Sequence, residues 1–119
     1  MRADNIDESV EFYRDKLGAN FIAKFDPPGL ALFDLDGVRL MLERSAPAST
    51  VYFRVEDIDA AYRGLNAAGV TFIDAPHLIH RDADGTFGAA GVEEWMAFFK
   101  DPSGNLLAVV ERKPASAGD

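Results

Sequence analysis

Cysteine is absent from all 119 residues, which excludes a disulfide framework, a thiol nucleophile and a thiolate metal site. No apolar stretch approaches the roughly 20 residues needed to span a bilayer. The first twelve residues carry no basic segment followed by an apolar run, so a cytoplasmic location with no membrane partner is the expectation. Lys and Arg never form a run that could track a phosphate backbone, and the formal net charge is −8, so nucleic acid is not an expected partner. What the chain does have is an ordinary globular balance, 48% hydrophobic and 27% charged, at a length that suits one domain.

Two stretches carry the periodicity of amphipathic helices. From Asn5 to Leu17, the residues Ile6, Val10, Tyr13 and Leu17 fall on one face, Asn5 can cap, and Glu8 three residues later completes a capping box; Gly18 stops the helix. From Asp57 to Ala68, the residues Ile58, Ala61, Tyr62 and Leu65 repeat the plan and Gly69 ends it. Elsewhere the pattern changes to alternation or short apolar runs. Strands are expected at Phe21–Phe25, Leu30–Leu35, Val38–Glu43, Thr50–Val55, Thr71–Ile73, His77–His80, Glu94–Phe99 and Leu106–Glu111. Asp36-Gly37 signals a hairpin, and Asp101-Pro102-Ser103-Gly104 a four-residue turn. The Gly-, Ala- and Asp-rich segment from Arg81 to Gly91 reads as a mobile loop that could close as a lid, and residues 114–119 as a flexible tail.

The order helix, strand, hairpin occurs twice. Asn5-Ile6-Asp7 matches Asp57-Ile58-Asp59, and Gly18-Ala19-Asn20-Phe21 matches Gly69-Val70-Thr71-Phe72. One copy cannot bury its own apolar face, so two modules, 1–45 and 49–113, should share one domain over residues 1–113.

These residues resemble the vicinal oxygen chelate superfamily, which groups glyoxalases, bleomycin-resistance proteins and ring-cleaving dioxygenases. The opening pattern is Ser9-Val10-Glu11-Phe12-Tyr13-Arg14-Asp15-Lys16-Leu17-Gly18; the second half runs from Val55-Glu56-Asp57-Ile58-Asp59-Ala60-Ala61 to Asp101-Pro102-Ser103-Gly104-Asn105. The resemblance implies an α+β fold of paired βαβββ modules, with one curved mixed sheet, helices on its convex face and a ligand cleft on the concave one. It also implies a homodimer. Only four residues precede Asn5, so the first strand is missing, vestigial or supplied by another chain.

Members of this family commonly hold a divalent metal in the cleft on His and Glu side chains. The first of the four implied positions falls on the missing strand, and the others fall on Met41, Thr50 and Ala108, none of which is a His or a carboxylate. Glu43 with a histidine could make a displaced site, but His77 and His80 stand three apart, which puts them on opposite faces of a regular strand. No metal or other cofactor is expected. Glu111 reads as a solvated cap.

If Met41 faces the cleft, alternation brings Arg39 and Glu43 with it and leaves Val38, Leu40 and Leu42 under the helices. By the same rule Thr50, Tyr52 and Arg54 face the cleft, Val51, Phe53 and Val55 pack beneath, and Leu106, Ala108 and Val110 floor the other side. One alternating half of Glu94–Phe99 must also face inward; Trp95 is a candidate and His77 lies close by. An apolar floor with Arg39 or Arg54 as electrostatic partner suits a small amphipathic organic molecule with an anionic or carbonyl group. Two functional classes stay open: a metal-free binding protein with a resistance or sequestration role, and a metal-dependent lyase, epimerase or dioxygenase whose ligands have moved. Serine hydrolase chemistry is not expected, since neither Ser9 nor Ser103 has a histidine near it in sequence.

Overall fold

Asn5 opens the first helix as expected, its side-chain oxygen accepting a hydrogen bond from the Glu8 amide at 3.1 Å. In the computed structural model, which describes residues 1–86 and 88–114, this helix is α1 (Ile6–Glu11) and passes directly into a π-helical turn at Phe12–Lys16. The π-helical turn is wider than an α-helical one. The wider turn, closed by the Leu17 amide on the Phe12 carbonyl, buries both rings. Phe12 packs toward Phe99 at 6.4 Å between centroids, and Tyr13 toward Phe33 at 5.7 Å.

Three strands follow: β1 (Asn20–Phe25), β2 (Leu30–Leu35) and β3 (Val38–Glu43), paired antiparallel in that order. The hairpin at Asp36-Gly37 forms because both residues take positive φ, 52° and 89°, which the two-residue turn between twisted strands demands. The second module contributes β4 (Thr50–Arg54), α2 (Ile58–Ala67), β5 (His77–Asp82), β6 (Val92–Lys100) and β7 (Leu106–Lys113), with sheet order β4-β7-β6-β5. Asp57 caps α2 by accepting from the Ala60 amide at 3.0 Å. The strand expected at Thr71–Ile73 shortens to a single bridge between Phe72 and Phe99.

Ahead of α1, residues 1–3 occupy the place of module one's first strand. Arg2 forms one parallel bridge to Glu43, with the Ala3 amide donating to the Glu43 carbonyl and the Glu43 amide to that of Met1. It lies beside β3 as β4 lies, in parallel, beside β7, so the two modules have the same plan.

One core serves both modules. Ile6, Val10, Phe12 and Tyr13 pack with Phe33 and Leu42 of the first sheet and with Ala97, Phe99, Leu107 and Val109 of the second. A buried polar knot ties the modules together. The Tyr13 hydroxyl donates to Asp101 Oδ2 at 2.7 Å; Asn105 Nδ2 donates to the same oxygen at 2.7 Å and to the Arg2 carbonyl at 2.6 Å; Asn105 Oδ1 accepts from the Ser49 amide at 2.8 Å. Burial first, and then the Asp101 carboxylate, push the Tyr13 phenol well above its ordinary pKa.

Two further expectations are corrected here. Val38, expected under the helices, ends its strand 67% exposed, because the hairpin carries it past the edge of the core. Glu111 is no solvated cap: its Oε1 accepts from the Ile58 amide at 2.9 Å and satisfies a donor at the start of α2. The segment from Arg81 is held by Asp82, which is buried, accepts the Thr86 amide on Oδ1 and takes the Gly85 and Gly91 amides on its carbonyl. The tail expected at 114–119 lies outside the described residues beyond Pro114. Among the described residues no helix is long and apolar enough to cross a membrane.

Candidate functional site

Pairing fixes which side chains share the face turned away from the helices. In the first sheet three rows cross it: Arg39, Asp34 and Asn20; Met41, Leu32 and Ala23; Glu43, Leu30 and Phe25. Met41 is 44% exposed while its neighbour Leu42 is fully buried, the alternation that the hairpin strand predicts. In the second sheet Tyr52 pairs with Ala108 and Ala108 with Phe98; Arg54 pairs with Val110, Val110 with Met96, and Met96 with His77. Thr50, Tyr52 and Arg54 are exposed here, whereas Val51, Phe53 and Val55 pack on the core.

Seven of the nine candidate residues, Arg39, Met41, Glu43, Thr50, Tyr52, Arg54 and His77, therefore lie on accessible parts of this face. Ala108 lies on it but is fully buried, in the row between Tyr52 and Phe98, whose rings approach edge-on at 6.4 Å between centroids. Trp95 does not belong to the face. It pairs with Glu111, whose carboxylate reaches α2, so the indole lies on the helix side, donates to Glu93 Oε1 at 3.1 Å and carries the Lys113 ammonium 4.6 Å from its ring centroid.

The inward half of β6 is instead Glu94, Met96 and Phe98, aromatic and thioether surface that periodicity alone could not separate from Trp95, Ala97 and Phe99. A second feature is also new. His77 pairs with Met96 and His80 with Glu94, the register shifting between Leu78 and His80. This bulge inserts one residue, so two histidines expected on opposite faces share the same one. Beside them Arg112 and Glu94 form an ion pair at 3.5 Å.

The donor set decides what a divalent ion would find here. Among the described residues no group of three or more His, Asp or Glu is clustered well enough to hold a metal, and the positions occupied by Met41, Thr50 and Ala108 offer no imidazole or carboxylate. The described residues of one chain therefore do not fit the divalent ion that the resemblance implies.

The chain is long for its size, 56 × 29 × 22 Å, with a radius of gyration of 16.0 Å. A compact chain of this length would have about 13.5 Å. Both sheets give their helix-side faces to one core, and the opposite faces stay open to solvent in the single chain. A recess of about 420 Å³ lies on the other side, between the end of the π-helical turn and α2.

Comparison with known proteins places this arrangement. Residues 1–109 match the family described as the Glyoxalase/Bleomycin resistance protein/Dioxygenase superfamily. YurT of Bacillus subtilis (strain 168), described as uncharacterized, is 32% identical over 129 residues, spanning 89% of this chain and 90% of its own. A crystal structure of a glyoxalase/bleomycin resistance protein/dioxygenase from Nocardioides superposes with a TM-score of 0.72 at 22% identity, over 100% of this chain and 83% of that one. A lactoylglutathione lyase from Agrobacterium tumefaciens gives 0.69 at 23% identity, over 93% and 88%.

Proposed function

Because the chain belongs to the Glyoxalase/Bleomycin resistance protein/Dioxygenase superfamily, we propose that it binds a small amphipathic organic molecule on the concave sheet faces, without a metal at the family positions. The supporting observation is the second-sheet face itself, where the exposed Tyr52 and Arg54 flank Phe98, Met96 and His77. Apolar and aromatic surface beside a guanidinium suits a flat or amphipathic ligand that bears an anionic or carbonyl group.

The working unit is a homodimer in the cytoplasm. One chain carries two sheets and measures 56 Å along its longest axis. A second copy can set its Arg39, Met41 and Glu43 opposite Tyr52 and Arg54 of the first, enclosing a ligand that one open face cannot. The role is sequestration or resistance.

A thermal-shift panel of aromatic carboxylates and carbonyl compounds tests this. A compound that stabilises the protein should bind at least tenfold more weakly to Arg54→Ala, a typical cost for losing a charge-assisted hydrogen bond. Trp95→Phe, on the helix side, should leave its affinity unchanged. Equal binding to wild type and Arg54→Ala would remove the cleft assignment.

A second reading, a lyase, epimerase or dioxygenase with displaced metal ligands, is favoured by the shared facing of His77 and His80. Two imidazoles are fewer than the donors such an ion requires, so this reading needs a carboxylate such as Glu43 from another copy. Stoichiometric zinc, nickel, manganese or iron in protein purified without chelator, lost in His77→Ala, would decide for it.

A further inference from the structure

The recess on the helix side plays no part in that reading. Its volume of about 420 Å³ lies within the roughly 300–1,000 Å³ range of small-molecule sites. Its walls are apolar, drawn from Leu17 at the end of the π-helical turn, Leu35 of β2, Phe53 and Val55 around β4, and Leu65 of α2. One charged residue lines it, Lys16. Several cations on this acidic surface have found carboxylates, Arg2 pairing with Asp4, Arg14 with Asp15, Lys24 with Asp7 and Arg44 with Asp26, whereas Lys16, like Arg39, Arg54 and Lys100, has not among the described residues. Among the described residues no carboxylate stands within ion-pairing distance of Lys16, whose ammonium lies 5.9 Å from the Phe12 ring centroid.

Gly64 adds an independent observation. It sits inside α2, where glycine weakens a helix relative to alanine. Its backbone does not need glycine, since its φ is not positive, and an added Cβ would meet nothing within 4 Å. What its missing side chain provides is space, because Gly64, with Ala61 one turn earlier, forms the α2 wall of the recess.

We infer that this recess is a second ligand site, for a monocarboxylate with an apolar tail. The carboxylate pairs with the Lys16 ammonium at the rim, and the tail lies among Leu17, Leu35, Phe53, Val55 and Leu65. Charge and shape act together: the walls reward an alkyl or aryl chain with burial, and the ammonium, which has no carboxylate partner among the described residues, selects an anion over a neutral or cationic head.

Decanoate, titrated into the full chain by calorimetry and by methyl NMR, is the probe; decanol and decyltrimethylammonium are the head-group controls. Decanoate should bind and shift the methyls of Leu17, Leu35, Val55 and Leu65, with decanol weaker and the cation weakest. Lys16→Gln should weaken decanoate about tenfold. Gly64→Met should fill the recess and abolish binding without lowering the thermal midpoint, since methionine is the better helix former. Should that variant misfold, Gly64→Ala should still weaken binding several-fold.

No decanoate binding at millimolar concentration, full binding to Gly64→Met, no effect of Lys16→Gln, or shifts confined to Met41 and Val110 on the opposite face would each overturn the assignment. Arg54→Ala should leave decanoate affinity intact. That variant separates failure of this site from failure of the concave one.

Discussion

Replacing Tyr13 by phenylalanine probes the knot that joins the two modules. The ring keeps its packing against Phe12 and Phe33, and the variant loses a 2.7 Å hydrogen bond to the Asp101 carboxylate together with a weak 3.9 Å contact to Met1 Sδ. A buried hydrogen bond to a charged acceptor contributes about 2 kcal/mol. In a chain of this length that amounts to roughly 8 °C in thermal midpoint.

Burial of the phenol, reinforced by the Asp101 carboxylate, sets a pH dependence whose sign follows from the raised phenol pKa. A group titrating higher when folded than when unfolded contributes its stability in full below the unfolded value, about 10 for tyrosine, and loses it as pH rises beyond that. Wild type should therefore lose its advantage over Tyr13→Phe by about 1.4 kcal/mol per pH unit above roughly pH 10. Urea unfolding of both proteins at pH 7 and at several points between pH 9 and pH 11.5 measures the gap directly. Lys, Arg and the other tyrosines titrate alike in both proteins and cancel. A gap that stays constant from pH 7 to 11.5, or one below about 0.5 kcal/mol throughout, would refute the view that Tyr13 donates to a buried carboxylate and that this bond holds the modules together.

Two more expectations concern the scaffold. Asn105→Ala strands the Ser49 amide, the Arg2 carbonyl and one lone pair of Asp101, so urea unfolding should report a loss of about 3 kcal/mol, more than for Tyr13→Phe. Asp57→Ala removes the cap of α2 and should cost about 1 kcal/mol by the same assay, with no change in ligand affinity at the concave face.

The outline of the fold was legible because its signals are local. Caps at Asn5 and Asp57, alternation in Leu30–Leu35 and Val38–Glu43, and the Asp36-Gly37 turn each depend on a few neighbouring residues, and the structure keeps them, Val38 at the start of its strand excepted. The facing of the candidate residues was legible where a strand alternates cleanly, as in Arg39, Met41 and Glu43 or Thr50, Tyr52 and Arg54. In β6 a nearly continuous apolar run gave no such cue, so the choice between Trp95 and its neighbours stayed open in the sequence and the strand pairing turned Trp95 to the helix side.

The amino-acid order alone determined two matched modules, no thiol chemistry and no imidazole or carboxylate at Met41, Thr50 and Ala108, since residue identity and short-range spacing suffice for these. Tertiary structure decided the rest. An inserted residue in β5 brought His77 and His80 to one side, cross-strand register put Trp95 against Lys113, and packing between distant segments closed the Tyr13, Asp101 and Asn105 knot. The physical reason is range. A cap or a turn is won within a few residues, whereas the facing of a bulged strand depends on a partner strand that may lie anywhere along the chain.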